Sequence, residues 1–178
     1  MTSIALIAPA LDSWVPDPAL RIRHSRVSSA PPERLWEAAR TVRLADTRRL
    51  GRLVRWRIPG TPGDIGFDEL FRRPPFLVLE ESDEALVSGI VGRIWTLRRD
   101  YPELREPEEF RAWSTPGTAR VAFANWIEGD ALFSETRVDA FGVQGRLGVR
   151  AVRPLVRAFQ GLIGSDGIAA AVRLAERG

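Results

Sequence analysis

Residues 119–140 read ARVAFANWIEGDALFSETRVDA and decide the fold of this 178-residue chain. Two predicted strands, 119–127 and 132–140, bracket a polar turn. A two-residue turn at Gly129 and Asp130 joins the strands into an antiparallel hairpin and fixes its register. One face of the hairpin is then predicted to be apolar, with embedded hydroxyl and amide groups. Its expected cross-strand pairs are Ile127 with Leu132, Asn125 with Ser134, Phe123 with Thr136, and Val121 with Val138.

The opposite face of the hairpin carries charged side chains, with aromatic side chains near the tip. They are Arg120, Glu135, Arg137 and Asp139, with Trp126 and Phe133 at the tip. A buried carboxylate held by arginine can orient a polar ligand group, so Glu135 is a candidate catalytic residue. A solvated convex surface is the alternative. We prefer it because ionic side chains gathered on one face are typical of a surface that contacts water.

The segments around this hairpin supply the other elements. Runs of β-forming residues at 76–81 and 85–95 flank a polar turn and predict a second hairpin. Proline is tolerated in the first turn of a helix, so a helix begins at about residue 30. The remaining pattern predicts a first strand at 20–29, a second helix at 46–57, a helical turn at 67–71 and an exposed connection at 98–109.

A long amphipathic helix is predicted at the C-terminal end, over about residues 145–177. Its expected apolar stripe consists of Leu147, Ala151, Leu155, Ala158, Phe159 and Leu162. An antiparallel sheet with one apolar face must bury that face, and this helix is the one large element left to cover it. The predicted fold class is α+β: a helix-grip, in which a curved antiparallel sheet wraps around the long C-terminal helix, with two short helices after the first strand. An apolar cavity between sheet and helix follows from this shape.

The length of the chain favours one domain, because domains usually contain about 100 to 200 residues. We predict a single helix-grip domain over residues 20–178. Residues 1–19 contain three prolines and are expected to form an extended N-terminal arm.

Several segments, taken in order along the chain, carry a family resemblance. They are RHSRV at 23–27 with APPERLWEA at 30–38, LVLEE at 77–81 with LVSGIVGRIW at 86–95, and residues 116–123 with 134–138 and Arg153-Pro154. Together they resemble the SRPBCC superfamily of START-like and polyketide-cyclase-like proteins, and its small bacterial members in particular. The resemblance covers roughly residues 12–177. It implies a helix-grip fold and a lipid-like, polyketide-like or aromatic ligand in the cavity, without a metal ion or nucleotide.

Composition argues against several functional classes. The chain has no Cys and one His, so we expect no disulfide, no thiol nucleophile and no His-built metal site. Together with what the resemblance implies, this leaves no expected cofactor. No apolar run approaches the roughly 20 residues of a membrane-spanning helix. The apolar residues near the start have no basic residue before them, unlike a secretory signal. We therefore expect a cytoplasmic protein without a transmembrane segment.

The charge pattern does not indicate a nucleic-acid partner. All 26 basic residues are arginine, and the net charge is only +3. Because the chain has no Lys, few groups titrate between neutral pH and the range of arginine, which explains the sequence pI of 10.7. Residues 21–59 hold 11 Arg against three acidic residues, but no motif interleaves them with aromatic side chains. We predict solvated arginines on amphipathic helices.

The candidate site residues are few. Histidine titrates nearest neutral pH, so His24 is the first candidate general acid or base, although we favour a structural hydrogen bond at the rim of the sheet. Tyr101 falls in the charged connection, where a cavity position is not expected. Arg93 and Trp95 share a face, and we weigh equally a ligand carboxylate held at the cavity mouth and a surface Arg packed on indole. The full set of expected ligand-binding residues is Trp36, Trp95, Arg93, Phe123, Asn125, Ser134, Thr136, Leu155, Phe159 and Leu162.

Three functions remain open at this point. The leading one is binding or carriage of a hydrophobic or amphipathic small molecule in the cavity. The second is a cofactor-independent cyclase or dehydratase that acts on a polyketide-like or aromatic substrate. The third is an interaction module, which would form a homodimer through Trp126 and Phe133 at the hairpin tip.

Overall fold

The computed structural model describes residues 9–47, 49–58, 60–96 and 101–177. Within these ranges, five strands form one antiparallel sheet in the order β1-β5-β4-β3-β2. The strands are β1 Leu20–Val27, β2 Leu77–Ser82, β3 Ala85–Gly92, β4 Ala119–Glu128 and β5 Ala131–Ala140. Strands that follow one another along the chain pair with each other, except that β1 pairs with β5 and forms an edge of the sheet.

Seven α-helices surround this sheet in the described part of the chain. They are α1 Leu11–Trp14, α2 Pro32–Thr41, α3 Leu50–Arg57, α4 Phe67–Arg72, α5 Pro107–Ala112, α6 Gly142–Leu162 and α7 Ala169–Arg177. A π-helical turn, Ile163–Ile168, joins α6 to α7, so the C-terminal element is helical throughout. The predicted fold class, α+β with a helix-grip arrangement, is confirmed.

The predicted register of the central hairpin is also confirmed. In β4 and β5 the pairs are Val121 with Val138, Phe123 with Thr136, Asn125 with Ser134, and Ile127 with Leu132. Gly129 adopts a φ of 63° in the turn, a conformation that glycine reaches without a steric penalty. A slip of one residue would exchange the two faces of the hairpin, so this register decides which side chains face the cavity.

Both faces of the sheet are covered. On the concave face, α2, α3, α4 and the C-terminal helices enclose the larger core, which includes Leu35, Leu50 and Ile163. On the convex face, Trp14 of α1 and Phe110 of α5 pack against small and apolar strand residues. Two expectations are thereby corrected: the convex face is not solvated, and α5 replaces the end of the expected exposed connection. Residues 98–100 of that connection lie outside the described residues.

The segment before β1 takes part in this packing. Residues 9–19 are not extended throughout, because α1 forms within them and Leu11, Trp14 and Val15 are buried. The indole Nε1 of Trp14 donates a hydrogen bond of 3.0 Å to Oε2 of Glu80 on β2. The division of the chain at residue 20 stays a prediction.

The predicted stripe of the C-terminal helix is partly wrong. Leu147 and Leu155 are 60% and 57% exposed, and Ala151 and Ala158 are exposed as well. The face of α6 that approaches the sheet instead carries Gly145, Val149 and Gln160, all buried, and the half-buried Val152, Val156 and Phe159. The helix has apolar side chains on two arcs, and spacing alone does not show which arc faces the sheet. Among the described helices, none is both long and apolar enough to cross a lipid bilayer.

A candidate ligand cavity between the sheet and the C-terminal helix

A cavity of about 160 Å³ lies between the concave face of the sheet and helices α3, α4 and α6. Apolar side chains form almost all of its wall. From the sheet these are Ile90, Val121, Phe123 and Val138; from α3 and α4 they include Leu50, Leu53, Val54, Phe67, Leu70 and Phe71; and from α6 and the π turn they are Leu155, Val156, Phe159 and Ile163. The cavity was predicted between the β4–β5 hairpin and the C-terminal helix, and its position agrees with that prediction.

Three phenylalanines make one wall of this cavity. The rings of Phe71, Phe76 and Phe123 contact one another with centroid distances of 5.2, 5.5 and 5.7 Å. Aromatic pairs at such separations contribute roughly 0.5 to 1.5 kcal/mol beyond the area that they bury. The three rings come from α4, the segment before β2, and β4, so their contact fixes α4 against the sheet.

Ionic and capping contacts hold the two short helices over the cavity. Arg72 of α4 binds Asp68 at 2.6 Å and Glu81 of β2 at 2.5 Å. These hydrogen bonds to carboxylates raise the pKa of Arg72 above its ordinary value. The start of α3 is held by Asp166 of the π turn, whose Oδ2 accepts hydrogen bonds from the backbone N–H of Arg49 at 2.9 Å and of Leu50 at 3.3 Å. Both helices are therefore fixed by carboxylates from other parts of the chain.

The polar groups of the cavity wall come from facing elements. The side-chain amide of Gln160 on α6 donates a hydrogen bond from Nε2 to Oγ1 of Thr136 on β5. Both side chains are buried, and Oε1 of Gln160 has no hydrogen-bond partner among the described residues. A buried amide oxygen without a partner is costly, because it has lost its water and gained no donor. The cavity wall therefore contains one strong acceptor that is not satisfied by the described part of the protein.

Two large apolar side chains mark the open side of the cavity. Trp56 on α3 and Leu155 on α6 both line it, yet they are 53% and 57% exposed. Residues that contact both the cavity and the solvent define its mouth. The mouth therefore lies between α3 and α6.

A smaller cavity of about 40 Å³ adjoins the first. Its wall includes Trp36 and Asn125, and it shares Phe67, Phe71 and Ile163 with the main cavity. A space of this size has room for about one water molecule. It extends the main cavity toward α2 rather than forming an independent ligand site.

The expected ligand-binding residues divide into three groups. Phe123, Thr136, Leu155 and Phe159 line the main cavity, and Trp36 and Asn125 line the smaller one. Ser134, Leu162, Arg93 and Trp95 line neither. Arg93 is exposed, while the half-buried indole of Trp95 lies so close to α6 that a Cβ on Gly148 would overlap it. Trp95 thus has a packing contact with α6.

The two candidate catalytic residues lie away from the main cavity wall. His24 is half-buried on the edge strand β1, opposite Ser134, and its Nε2 is buried without a partner among the described residues. Glu135 is on the convex face, where Arg21 and Arg137 bind its carboxylate. The structure brings neither side chain to the cavity, and their catalytic roles stay predictions.

Several cavity residues were not foreseen. Gln160 is at i+4 from Val156, within a row that also includes Val149 and Ile163, so a helical wheel centred on these residues identifies it. Tyr101 lines the cavity although its charged neighbours suggested a surface position. No local pattern marks Tyr101, because its position depends on contacts with elements that are distant in sequence.

Comparisons with known proteins are sparse. No family model matches the chain, and no curated protein matches it. The crystal structure of the di-domain ARO/CYC BexL from the BE-7585A biosynthetic pathway aligns with 89% of this chain and 50% of its own length, at 14% identity and a TM-score of 0.42. TTHA0849 from Thermus thermophilus aligns over 88% of this chain and 97% of its own, at 10% identity and a TM-score of 0.30. This chain thus spans half the length of the di-domain protein, and at these values neither alignment bears on what it binds.

Proposed function

We propose that this protein binds a hydrophobic or amphipathic small molecule in the cavity between the sheet and α6. The observation that carries the proposal is the apolar cavity of about 160 Å³, whose wall includes Gln160, with an Oε1 that accepts no hydrogen bond from any described residue. Apolar walls with a few placed polar groups are typical of small-molecule sites. The apolar part of a ligand would bury its surface there, and a single donor would satisfy the amide oxygen.

The volume of the cavity limits the ligand that fits without rearrangement. A dry cavity of about 150 Å³ accommodates benzene. A single ring with one hydroxyl or amine is therefore the natural occupant, and it matches the aromatic alternative among the expected ligands. A larger polyketide-like or lipid-like molecule would require Trp56 and Leu155 at the mouth to move.

The composition of the wall favours binding over proton-transfer catalysis. The described residues that line the main cavity include no His, Asp, Glu or Arg. A general acid or base must come within hydrogen-bond reach of the proton that it transfers. The cyclase or dehydratase alternative would therefore depend on Tyr101, and we rank it second.

Membership of the SRPBCC superfamily and a single domain over residues 20–178 belong to the same proposal. The strand order, the C-terminal helix and the cavity between them support both. The contacts of α1 with the convex face indicate that residues 11–15 fold with this domain.

Thermal unfolding in the presence of small probes tests the proposal. Benzene and phenol should each raise the melting temperature in a saturable manner, because a ligand that binds only the folded state stabilises it. Phenol should bind more tightly than benzene, since its hydroxyl can donate to Gln160. Gln160→Leu should remove the preference for phenol, whereas Gln144→Leu, an exposed site on the same helix, should retain it.

A second variant tests the location of the site. Val156→Phe places a larger side chain in the cavity and should abolish the stabilisation by both probes. Val152→Phe is the matched control, because Val152 is half-buried on the same helix but does not line the cavity. Equal probe binding by the wild type and Val156→Phe, with both proteins folded, would show that the probes do not bind in this cavity.

A further inference from the structure

Helix α6 has a second apolar surface, which faces away from the sheet. Val143, Leu147 and Leu155 are 66%, 60% and 57% exposed. At about 100° per residue, the apolar residues on this side fall within an arc of roughly 120°. In order around the helix they are Val143, Pro154, Leu147, Ala158, Ala151, Leu162 and Leu155; all are exposed except Leu162, which is half-buried against the core. We call this arc the outer stripe.

Arginines flank the outer stripe on one side. Arg146, Arg150, Arg153 and Arg157 are all exposed and fall within an adjacent arc of about 60°. The chain has no acidic residue between Asp139 and Asp166, and none of the four arginines forms an ion pair with a described residue. The flank therefore presents uncompensated positive charge beside an apolar surface.

The outer stripe continues to the mouth of the cavity. Leu155 belongs to both, and across the mouth stands the exposed indole of Trp56 on α3. Arg52 and Arg55 lie beside Trp56 on the same surface. Apolar and basic side chains thus surround the mouth on both of the helices that form it.

We propose that the outer stripe and the rim at Trp56 dock onto the surface of an anionic lipid bilayer. An amphipathic helix with apolar side chains on one arc and arginine beside it is suited to lie at such an interface, and tryptophan favours the same depth. The arginines complement lipid phosphates, and their attraction to an anionic surface adds to the burial of the stripe. A second copy of this chain fits less well, because its own α6 offers no carboxylate to these arginines.

This docking does not depend on what the cavity holds, and it goes beyond small-molecule binding. It places the cavity mouth against the bilayer, so that an apolar ligand could pass between membrane and cavity without crossing water. Only this exchange step rests on the proposed function.

Co-sedimentation with vesicles tests the docking. We expect the full chain to bind vesicles of phosphatidylcholine and phosphatidylglycerol in equal parts at least about tenfold more tightly than vesicles of phosphatidylcholine alone. Raising the salt concentration to about 1 M should weaken binding to the anionic vesicles, because the Debye length falls to about 3 Å. Absence of binding by the wild type to anionic vesicles overturns the proposal.

Paired variants separate specific docking from general charge. Leu147→Glu, and separately Arg146→Glu with Arg150→Glu, should each weaken binding about tenfold or more. The control for Leu147→Glu is Leu174→Glu, which changes an exposed leucine on α7. The control for the double variant is Arg34→Glu with Arg173→Glu, which changes the charge by the same amount at exposed sites on α2 and α7. Equal losses in variants and controls would overturn the proposed surface.

Two further readouts distinguish the alternatives. Light scattering of the wild type and Leu147→Glu in the absence of lipid tests whether the outer stripe is a self-association surface. If the wild type is a dimer that Leu147→Glu dissociates, and the wild type does not bind vesicles, the lipid proposal is overturned. Stabilisation by phenol should be the same in Leu147→Glu and the wild type, since Leu147 does not line the cavity. Loss of vesicle binding with retained phenol binding separates this inference from the proposed function.

Discussion

The guanidinium of Arg137 donates a hydrogen bond of 2.6 Å from Nε to Oε1 of Glu135, and both side chains are buried on the convex face of the sheet. Residues of the N-terminal segment complete the arrangement. Arg137 also donates to the backbone oxygen of Val15 at 3.1 Å and to the carboxylate of Asp12. Arg21 binds Glu135 from the neighbouring strand at 2.8 Å. These contacts attach residues 12–15 to the sheet and explain why ionic side chains at this face are buried.

Removal of one member of this network should destabilise the fold without changing the cavity. Glu135→Gln removes one of the two carboxylates that bind the buried guanidinium of Arg137 and leaves it with the exposed Asp12. Breaking a buried pair costs about 3 kcal/mol, so we expect a loss of up to that size in the free energy of unfolding. Urea unfolding measures the loss. Phenol binding by the folded variant should equal that of the wild type.

A double variant is the control for this prediction. Replacement of both partners, Glu135→Leu with Arg137→Met, removes both buried charges and should recover part of the stability, because Arg21 and Asp12, which then lose a partner, are exposed. If the double variant is less stable than Glu135→Gln, the cost does not arise from a buried charge that has lost one of its partners.

The close packing of α5 on the convex face can be tested at a glycine. A Cβ added to Gly89 of β3 would lie 2.6 Å from the ring of Phe110 and 2.9 Å from Leu79. Gly89→Ala should therefore destabilise the protein by about 1 to 3 kcal/mol, the usual cost of overpacking. Gly161→Ala on α6 is the control, since a Cβ there meets nothing within 4 Å. Gly161→Ala should not destabilise, because alanine favours a helix more than glycine does.

The register of the hairpin could be predicted from the sequence because side chains of a strand point alternately to its two faces and a two-residue turn at Gly129 and Asp130 fixes which residues lie opposite one another. A single register satisfies both constraints, so Phe123 and Thr136 were placed correctly. The C-terminal helix offered no such constraint. Its apolar residues occupy two arcs, and the one chosen from spacing includes Leu147 and Leu155, which are exposed.

Long-range contacts explain why two other residues, Glu135 and Tyr101, do not lie where the sequence predicted them. The buried state of Glu135 depends on α1, which lies far earlier in the chain and carries no local mark of that contact. Tyr101 reaches the cavity through a connection whose charged composition is typical of a surface. Neither position follows from local periodicity, because each is fixed by an element distant in sequence.

Stability should fall at low pH through the contact of Glu176 with the loop after β1. The backbone N–H of Ser29 donates to this carboxylate at 3.1 Å, and the hydroxyls of Ser28 and Ser29 donate as well. These hydrogen bonds hold the pKa of Glu176 below its ordinary value of 4.5. A lowered pKa in the folded state contributes stability above the unfolded pKa, and this contribution is lost as the pH falls toward the folded pKa.

The measurement compares the wild type with Glu176→Gln across pH. The wild type should be more stable at about pH 7, and the difference should shrink as the pH falls below about 4.5 toward the folded pKa. Ser28→Ala with Ser29→Ala should reduce the difference at neutral pH, because two of the donors are gone. A difference that stays constant from neutral pH to about pH 3 would contradict this account.

Enlarging the cavity from the helix side should change the size of the ligand that it accepts. Phe159 lines the cavity and is half-buried. Phe159→Ala should therefore lower the free energy of unfolding by about 2 to 3 kcal/mol, which is less than the roughly 3 to 5 kcal/mol lost when a fully buried phenylalanine is replaced by alanine. The space released by the ring should admit naphthalene, which is too large for the wild-type cavity if the walls do not move. Melting temperatures with benzene and naphthalene measure the preference, which should shift toward naphthalene in the variant. Leu162→Ala is the control, since Leu162 is half-buried on the same helix but does not line the cavity. If Leu162→Ala shifts the preference toward naphthalene as much as Phe159→Ala does, then loosened packing, rather than cavity size, sets the preference.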